Sequence, residues 1–362
     1  MGPAHNIILI SFTLVLLFLF AVYFVSDSET ANQAQPAFDS EILVIANHLN
    51  QIMIADTDGI VKQKIVEEPA GNSIRIQQIE VNREGDYLYW LEAVKHGKCG
   101  SIYRVEFPSG KEPEKVGRAR YFALHPERSA IAVSSYISEN GDIHCNNQQK
   151  NRSYSGAIVL KDPEKGKKRV WRAPENMDSG KAVIPEQLAW ANDSSILALI
   201  ACGQQCHVRT IDPKIDSKTW SSPINEFWGK SGEAEWITQK ALTFNGPELI
   251  IYQYVIGEWP DDKLMEIQGI QVPIHSHLFS FKLTDRQAGM LLETGEIRIQ
   301  SLIGSSGGEK MLILSSPHET TDSSKQEYSD LYIYKTREQE IEQILKNSKV
   351  RAAAWAYGID QL

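Results

Sequence analysis

The chain has few basic residues, and none occurs before Lys62. Its 362 residues include 37 Lys and Arg against 46 Asp and Glu, which gives a formal net charge of −9. Nucleic-acid binding requires a dense face of Lys and Arg, because much of the affinity comes from contacts to phosphates. The composition therefore argues against nucleic acid as a partner. Hydrophobic residues make up 42% of the chain, enough for a substantial core.

Common catalytic signatures are also missing. The sequence contains neither a G-x-S-x-G nucleophile elbow nor an H-E-x-x-H metal motif. We therefore predict no catalytic residues, no metal site and no cofactor, and we expect a protein that is not an enzyme. A catalytic or ligand-binding group assembled from separate repeats stays open as the alternative.

The chain has one long hydrophobic run, within its first 25 residues, and none after it. Residues from Ile7 to Val25 form a run of 19 without a charge. A helix of this length spans a bilayer core, so the run predicts a transmembrane anchor. A cleaved signal peptide is the alternative, although the apolar core of a signal peptide is usually shorter. Ala31 and Ala34 are the only candidates for its cleavage site.

The remaining boundaries follow from the anchor. We predict a short tail at 1–6, an anchor or signal at 7–25, a polar flexible linker at 26–40 and one folded domain at 41–362. A short tail followed by a large domain is typical of a single-pass protein whose domain is extracytoplasmic.

Internal repeats predict the fold of the domain. One alternating strand, followed by a turn, recurs six times and ends at Asp56, Phe107, Asp162, Asp212, Leu283 and Lys335. The steps between these ends are 51, 55, 50, 71 and 52 residues. A second hairpin precedes each of the last five copies, so a unit has four strands, A to D. Four short strands per repeat of about 50 residues are typical of a β-propeller blade, and we predict six blades.

The first unit starts at strand B and lacks strand A. A strand without a partner, Val350–Ala356, lies at the other end of the chain. We predict that it completes blade one and closes the ring, which leaves no open sheet edge there. The alternative is a β-sandwich of two domains, which does not predict this match of the two ends.

The strand A to strand B hairpins resemble the PD40 repeats of TolB-like six-bladed propellers. The turns Asn82-Arg83-Glu84-Gly85 and His125-Pro126-Glu127-Arg128 carry the resemblance as loose versions of its Pro-Asp-Gly turn. It implies the fold alone, because propellers host both binding scaffolds and unrelated enzymes.

All four cysteines lie in the predicted loops between strands B and C. An even number of cysteines in an exported domain favours disulfides. Cys99 and Cys145 lie in neighbouring blades, and Cys202 and Cys206 would close a small loop. A zinc site built on Cys202 and Cys206, with His207 and a neighbour such as His144, is one alternative. Free thiols are another.

The longest insertion, in blade five, mixes apolar and acidic residues. Exposed aromatic and Met side chains often mark surfaces that bind partners. The candidate binding residues are Trp259, Asp261, Asp262, Met265, His275 and His277. Alternatively, the same apolar side chains fold back and cover the central channel.

Together these features predict a membrane-anchored, extracytoplasmic β-propeller that holds another protein or a membrane complex. The alternative is an enzyme or sensor for a glycan, peptide or small molecule at the channel mouth. Strand B of blade one begins at the end of the domain that carries the A–B turns. The anchor is therefore expected to leave from that end and to present the B–C loops outward.

Overall fold

The computed structural model describes the chain from Ile42 to Ala356, with gaps. The described residues are 42–67, 75–94, 98–110, 112–127, 129–138, 143–145, 154–162, 166–172, 184–202, 206–212, 237–255, 264–267, 270–273, 278–282, 287–292, 299–315, 318–319 and 327–356. They belong to one compact unit, Glu41–Leu362. They include no helix long and apolar enough to cross a membrane, and the predicted anchor at 7–25 lies outside them.

The described residues form 27 short β-strands, and many of them contain β-branched and aromatic side chains. In chain order they are β1 (Ile42–Asn47), β2 (Ile52–Asp56), β3 (Val61–Val66), β4 (Arg75–Val81), β5 (Tyr87–Ala93), β6 (Gly100–Glu106), β7 (Glu114–Ala119), β8 (Phe122–Leu124), β9 (Ile131–Ser138), β10 (Ile143–His144), β11 (Tyr154–Asp162), β12 (Gly166–Arg172), β13 (Ile184–Trp190), β14 (Leu197–Cys202), β15 (Cys206–Ile211), β16 (Ile237–Asn245), β17 (Glu248–Val255), β18 (Leu264–Ile267), β19 (Ile270–Pro273), β20 (Leu278–Lys282), β21 (Gln287–Leu292), β22 (Ile299–Gly304), β23 (Lys310–Ser315), β24 (His318–Glu319), β25 (Glu327–Lys335), β26 (Glu340–Ser348) and β27 (Val350–Ala356).

The strands pair into antiparallel sheets that have the order of propeller blades. Five sheets have four consecutive blade strands: β27-β1-β2-β3, β4-β5-β6-β7, β8-β9-β11-β12, β16-β17-β20-β21 and β22-β23-β25-β26. A further sheet, β13-β14-β15, has three strands. The fold is therefore an all-β propeller with five complete blades. The predicted count of six is not confirmed, because the three-stranded sheet is followed by residues 213–236, which lie outside the described ones.

The C-terminal strand closes the first blade, as the sequence predicts. β27 pairs antiparallel with β1, and Ile42 lies opposite Ala356 at one end of the ladder. Trp355 is 3% exposed, and its indole nitrogen donates a hydrogen bond of 3.1 Å to the carbonyl oxygen of Ile303 on β22. The last strand of the chain therefore holds together the first and last sheets.

Alternate residues of β1 explain why its sheet is buried on both faces. Val44 packs in a cluster with Ile76 and Trp90 of the second sheet. Leu43 packs in another cluster with Leu312 of the β22-β23-β25-β26 sheet. Successive side chains of a strand point to opposite faces, so a strand between two sheets is apolar at every position. Full burial of each such side chain stabilises the fold by about 1.5–3 kcal/mol.

One local prediction was wrong. The insertion of blade five was predicted as a loop, but it contains the hairpin β18-β19, in which Met265 pairs with Val272. The fourth strand predicted for the last repeat is confirmed as β26, which pairs with β25.

Candidate functional site

A cavity of about 240 Å³ lies along the axis of the propeller. Its lining comes from the innermost strand of each sheet, namely β27, β4, β8, β13, β16 and β22, and from residues beside them. In an antiparallel sheet, the start of the innermost strand lies beside the loop that joins the second and third strands. We call this end of the cavity the B–C end. The opposite end, beside the turns between the first and second strands, is the A–B end.

Hydrogen bonds between turns cross the cavity at its A–B end. Arg83 donates from Nη1 to the carbonyl oxygen of Asn192 at 3.5 Å, and Asn192 donates from Nδ2 to the carbonyl oxygen of Ser306 at 2.6 Å. These residues follow β4, β13 and β22, so turns of three different sheets are joined. Gly304 allows close packing there, because a Cβ at this residue would lie 1.9 Å from the carbonyl oxygen of Phe244. The A–B end is thus bridged by the protein itself.

The middle of the cavity is largely apolar. Leu188, Leu242 and Leu302 line it together with the alanines at 352–354 of β27. Two tryptophans, Trp190 and Trp355, also line it. Two polar side chains of the lining accept hydrogen bonds from backbone N–H groups. Thr243 Oγ1 accepts from Gly304 N at 3.0 Å, and His125 Nδ1 accepts from Glu127 N at 3.2 Å. The middle of the cavity therefore has apolar walls and offers few polar groups to a ligand.

The B–C end carries polar residues that β-bulges place in the lining. In five innermost strands an extra residue interrupts the pairing with the second strand, and in four of them that residue lines the cavity. These extra residues are Gln77, Gln187, Gln300 and Arg351. Gln187 has a φ of 57°, in the left-handed region that side chains rarely adopt. Bulges re-aim side chains and are over-represented beside functional sites, so this end is the candidate site.

Arg351 is held by an asparagine of the first sheet. Its Nη1 donates to Asn50 Oδ1 at 3.2 Å, and the same oxygen accepts from the backbone N–H of Ile76 at 3.0 Å. Asn50 is 6% exposed and has a φ of 59°. It therefore connects the turn after β1 to the start of β4 and positions the guanidinium between them.

Arg120 is held by a tyrosine of its own sheet. Its Nη1 donates to Tyr136 Oη, and its guanidinium carbon lies 5.5 Å from the centre of the Tyr136 ring, in cation–π range. Burial first, and then the nearby Glu186 carboxylate, raise the pKa of Tyr121, which also lines the cavity. Glu186 is thus the acidic neighbour of Arg120, and it does not itself belong to the lining.

Positive charge predominates in the cavity although the whole chain is acidic. The lining contains three arginines, Arg83, Arg120 and Arg351, and one carboxyl group, that of Glu80. The pKa of His48, in the turn after β1, is lowered by burial and then by the positive charges of Lys349 and Arg351. The lining therefore has a formal excess of positive charge.

Glu80 is an exception whose charge is weakened by burial. Burial raises its pKa to about 7, although hydrogen bonds from the backbone N–H of Leu124 at 2.8 Å and from Gln78 Nε2 at 2.6 Å favour the ionised form. Gln78 also accepts from Phe122 N at 3.2 Å. The side chains of Glu80 and Gln78 accept hydrogen bonds from backbone N–H groups of β8. They therefore join the second and third sheets.

Comparison with known proteins supports the fold. No protein-family model matches the chain, and no curated protein matches it. Among solved structures, a chain of the nidogen–laminin complex is similar at a TM-score of 0.54 and 10% identity, over 88% of this chain and 99% of that one. A TolB protein from Agrobacterium tumefaciens is similar at a TM-score of 0.50 and 11% identity, over 88% and 98%. At these identities the likeness shows the propeller fold alone.

One predicted disulfide is confirmed. Cys99 and Cys145 are bonded, with an S–S distance of 2.00 Å and a Cα–Cα distance of 5.4 Å. They join the loop after β5 to the short strand β10, and thus the second sheet to the third at the B–C end. Cys202 and Cys206 lie directly opposite each other in the pairing of β14 with β15. This register favours the second predicted disulfide, which stays a prediction.

The predicted binding residues of blade five are not brought to the cavity by any described contact. Trp259, Asp261, Asp262, His275 and His277 lie outside the described residues, and Met265 belongs to the separate hairpin β18-β19. Within the described ranges, no group of three His, Cys, Asp or Glu residues is placed to hold a metal ion.

Sequence reasoning missed Arg120 and Arg351. One signal could have revealed them, because Gln77, Gln187 and Gln300 occur early in the innermost strands of three repeats. A polar residue at the same stage of successive repeats indicates a shared position around the axis. Arg120 and Arg351 lie at this stage in two further repeats.

Proposed function

We propose that this chain is a membrane-anchored, extracytoplasmic six-bladed propeller of TolB-like architecture that binds a partner protein through its B–C end. The β13-β14-β15 sheet is then the fourth blade. The run from Ile7 to Val25 supports the anchor. Cys99–Cys145 supports an oxidising compartment, because disulfides persist mainly outside the cytosol.

The contrast between the two ends of the cavity carries this proposal. The A–B end is bridged by Arg83, Asn192 and Ser306, whereas the B–C end collects guanidinium and amide groups. Two large apolar side chains are exposed beside the B–C end: Leu49, 54% exposed, and Val94, 66% exposed. Exposed apolar side chains next to polar groups are found at surfaces that bind proteins.

The test uses opposite ends of the same domain. Full-length protein is cross-linked in the cells that produce it, and partners are captured from solubilised membranes. We expect Val94→Asp to lose a specific partner. Ile60→Asp is the matched control, because Ile60 is 57% exposed but lies in the β2–β3 turn at the other end. Equal capture by both variants would contradict the proposal.

Ligand sensing in the cavity is the second candidate function. The cavity volume of about 240 Å³ and the two arginines at the B–C end favour it. It predicts binding of a free small anion in the absence of any partner protein.

A further inference from the structure

We propose that the outer edge of the first three sheets, at the A–B end, lies on the headgroups of an anionic lipid bilayer. This inference rests on the membrane anchor of the proposed function and names the lipid chemistry that the domain meets beside it. The surface consists of the outer strands β3, β7 and β12, which we call the basic rim. These strands contribute no residue to the lining of the axial cavity.

The first support is the distribution of charge among the outer strands. The sequence of β3 contains two basic residues, that of β7 two and that of β12 four, against one acidic residue, Glu114 of β7. Glu114 makes an ion pair with Arg104 at 2.7 Å. By contrast, β21 has no charged residue, and β26 has two acidic residues and one basic residue. Positive charge is therefore concentrated on three neighbouring sheets of a chain whose net charge is −9.

The second support is a pair of lysines beside the β11–β12 turn. Lys161 and Lys167 lie directly opposite each other in the pairing of β11 with β12. Like charges in this arrangement repel each other, and burial followed by the charge of Lys167 lowers the pKa of Lys161. Lys161 Nζ donates to the carbonyl oxygen of Arg118 at 3.2 Å, and among the described residues neither lysine pairs with a carboxylate. An anion bound at this pair would relieve the repulsion.

Gly117 lets the Lys161 amine lie against the outer strand of the second sheet. A Cβ at this residue would lie 2.7 Å from Lys161 Nζ, so a larger residue would displace the amine. Glycine inside a strand often marks the close approach of another group. Lys115 and Arg118 are exposed on the same strand, β7. The positive groups of the second and third sheets therefore lie side by side.

The third support is the point at which the chain enters the domain. Ile42 lies opposite Asp56 and Ala356 in the first sheet, at the A–B end. Asp56 Oδ1 accepts from the backbone N–H of Ile60 at 2.8 Å, so the β2–β3 turn lies beside the entry point. Ile60 is 57% exposed and Val61 is 45% exposed. Exposed apolar side chains next to basic ones suit a headgroup layer, where apolar groups enter the interface and cations contact phosphates.

The length of chain before the entry point favours a lipid partner. Residues 26–41 join the predicted anchor to Ile42, and they reach at most about 55 Å when fully extended. Such a tether keeps the A–B end at a high effective concentration beside the bilayer, so that several weak contacts suffice for docking. The first sheet, where the chain enters, also carries one of the three strands of the basic rim.

Amine labelling of the full-length chain in lipid nanodiscs tests the inference. One disc contains phosphatidylcholine alone, and the other contains about one third phosphatidylglycerol. A limiting amount of an acetylating reagent modifies accessible lysines, and mass spectrometry measures the rate at each of them. We expect Lys115, Lys161 and Lys167 to react at least about threefold more slowly in the anionic disc, because lipid phosphates cover their ammonium groups. Raised salt should remove this protection by screening the charges.

The controls separate the basic rim from the rest of the surface. Lys346 is exposed on β26, so it should react equally in both discs. The double variant Lys161→Gln, Lys167→Gln should lower the protection of Lys115 by at least about twofold, because two of the cations that hold the rim to the lipid are gone. The matched variant Lys346→Gln should leave that protection unchanged. Thermal melts confirm that each variant is folded.

The outcomes distinguish this inference from the proposed function. Slower labelling of the basic rim in the anionic disc, reversed by salt, supports it. Equal labelling in the two discs, in a chain that remains inserted, overturns the lipid contact and leaves the anchor intact. A chain that does not remain in either disc overturns the anchor and the inference together. Protection in native membranes but not in the discs would assign the surface to an acidic protein and would also overturn the lipid contact.

Discussion

The two ends of the axial cavity are built from the same repeat but differ in their hydrogen-bond partners. At the A–B end, Arg83 and Asn192 donate to backbone carbonyls of other turns. At the B–C end, Arg120 and Arg351 are oriented by neutral side-chain oxygens. Side chains also satisfy backbone groups at the B–C end, as Asn50 does for Ile76 and Gln187 for Leu242, but β-bulges there place side chains in the cavity lining as well. One end therefore stabilises the ring, and the other is suited to binding.

The largest expected effect comes from removing the strand that serves both ends. A chain ending at Ser348 loses β27, with its buried alanines, Trp355 and Arg351. The loss should exceed the net stability of a typical domain, about 5–15 kcal/mol, and leave the protein unfolded by circular dichroism. A chain ending at Ala356 keeps β27 and is the control. A cooperative melt of the shorter chain would show that closure is dispensable.

The disulfide at the B–C end should have the next largest effect. Cys99 and Cys145 are 46 residues apart, and closing a loop of that length stabilises by about 4 kcal/mol in the chain-entropy description. The double variant Cys99→Ser, Cys145→Ser should show this loss in urea unfolding. Reducing the disulfide in the unmodified protein should lower its free energy of unfolding in the same way. No change in either experiment would mean that the loops are restrained by other contacts.

The buried carboxyl of Glu80 predicts a pH dependence of stability. Its folded pKa of about 7 is above the ordinary value of 4.5, so the protonated form favours the folded state. This stabilisation is complete below pH 4.5 and is lost as the pH rises to 7, by about 1.4 kcal/mol per pH unit. Glu80→Gln should remove this slope. Glu338→Gln, at an exposed residue, should keep it, and an unchanged slope in Glu80→Gln would contradict the assignment.

The smallest expected effects come from replacing one asparagine at each end of the cavity. Asn192→Ala removes the side-chain hydrogen bond to the Ser306 carbonyl and should cost about 1 kcal/mol of stability without changing partner capture. Asn50→Ala should cost a similar amount and also weaken partner capture, because it releases Arg351. Cross-linked capture and urea unfolding on both variants measure the two quantities. Equal capture by both would remove the functional distinction between the ends.

Much of the fold could be predicted from periodicity. Alternating strands and repeat spacing identified the blades, and the unmatched Val350–Ala356 identified the closure with β1. The hairpin β18-β19 was missed because its four-residue strands carry little periodic signal. The strand β26 was expected as strand D of the last repeat, and its pairing with β25 confirms it.

The candidate site was harder to predict. Cysteines and histidines directed attention to the B–C loops, and the Cys99–Cys145 bond predicted there is confirmed. The arginines of the cavity were not identified, because a single arginine at the start of a strand has no local signal. Only the bulges show that Arg351 and the three glutamines belong to one rim.

The sequence by itself determined the repeat, the all-β class and the strand that closes the ring. Those properties follow from side-chain alternation and turn residues, which are local and recur along the chain. The tertiary structure decided which polar residues line the axial cavity. Arg120 and Arg351 are 231 positions apart in the chain (351 − 120) and meet at one cavity because the ring brings the first strand of every sheet to the centre. The chemistry of the site is therefore a property of ring closure, which no segment of the sequence contains alone.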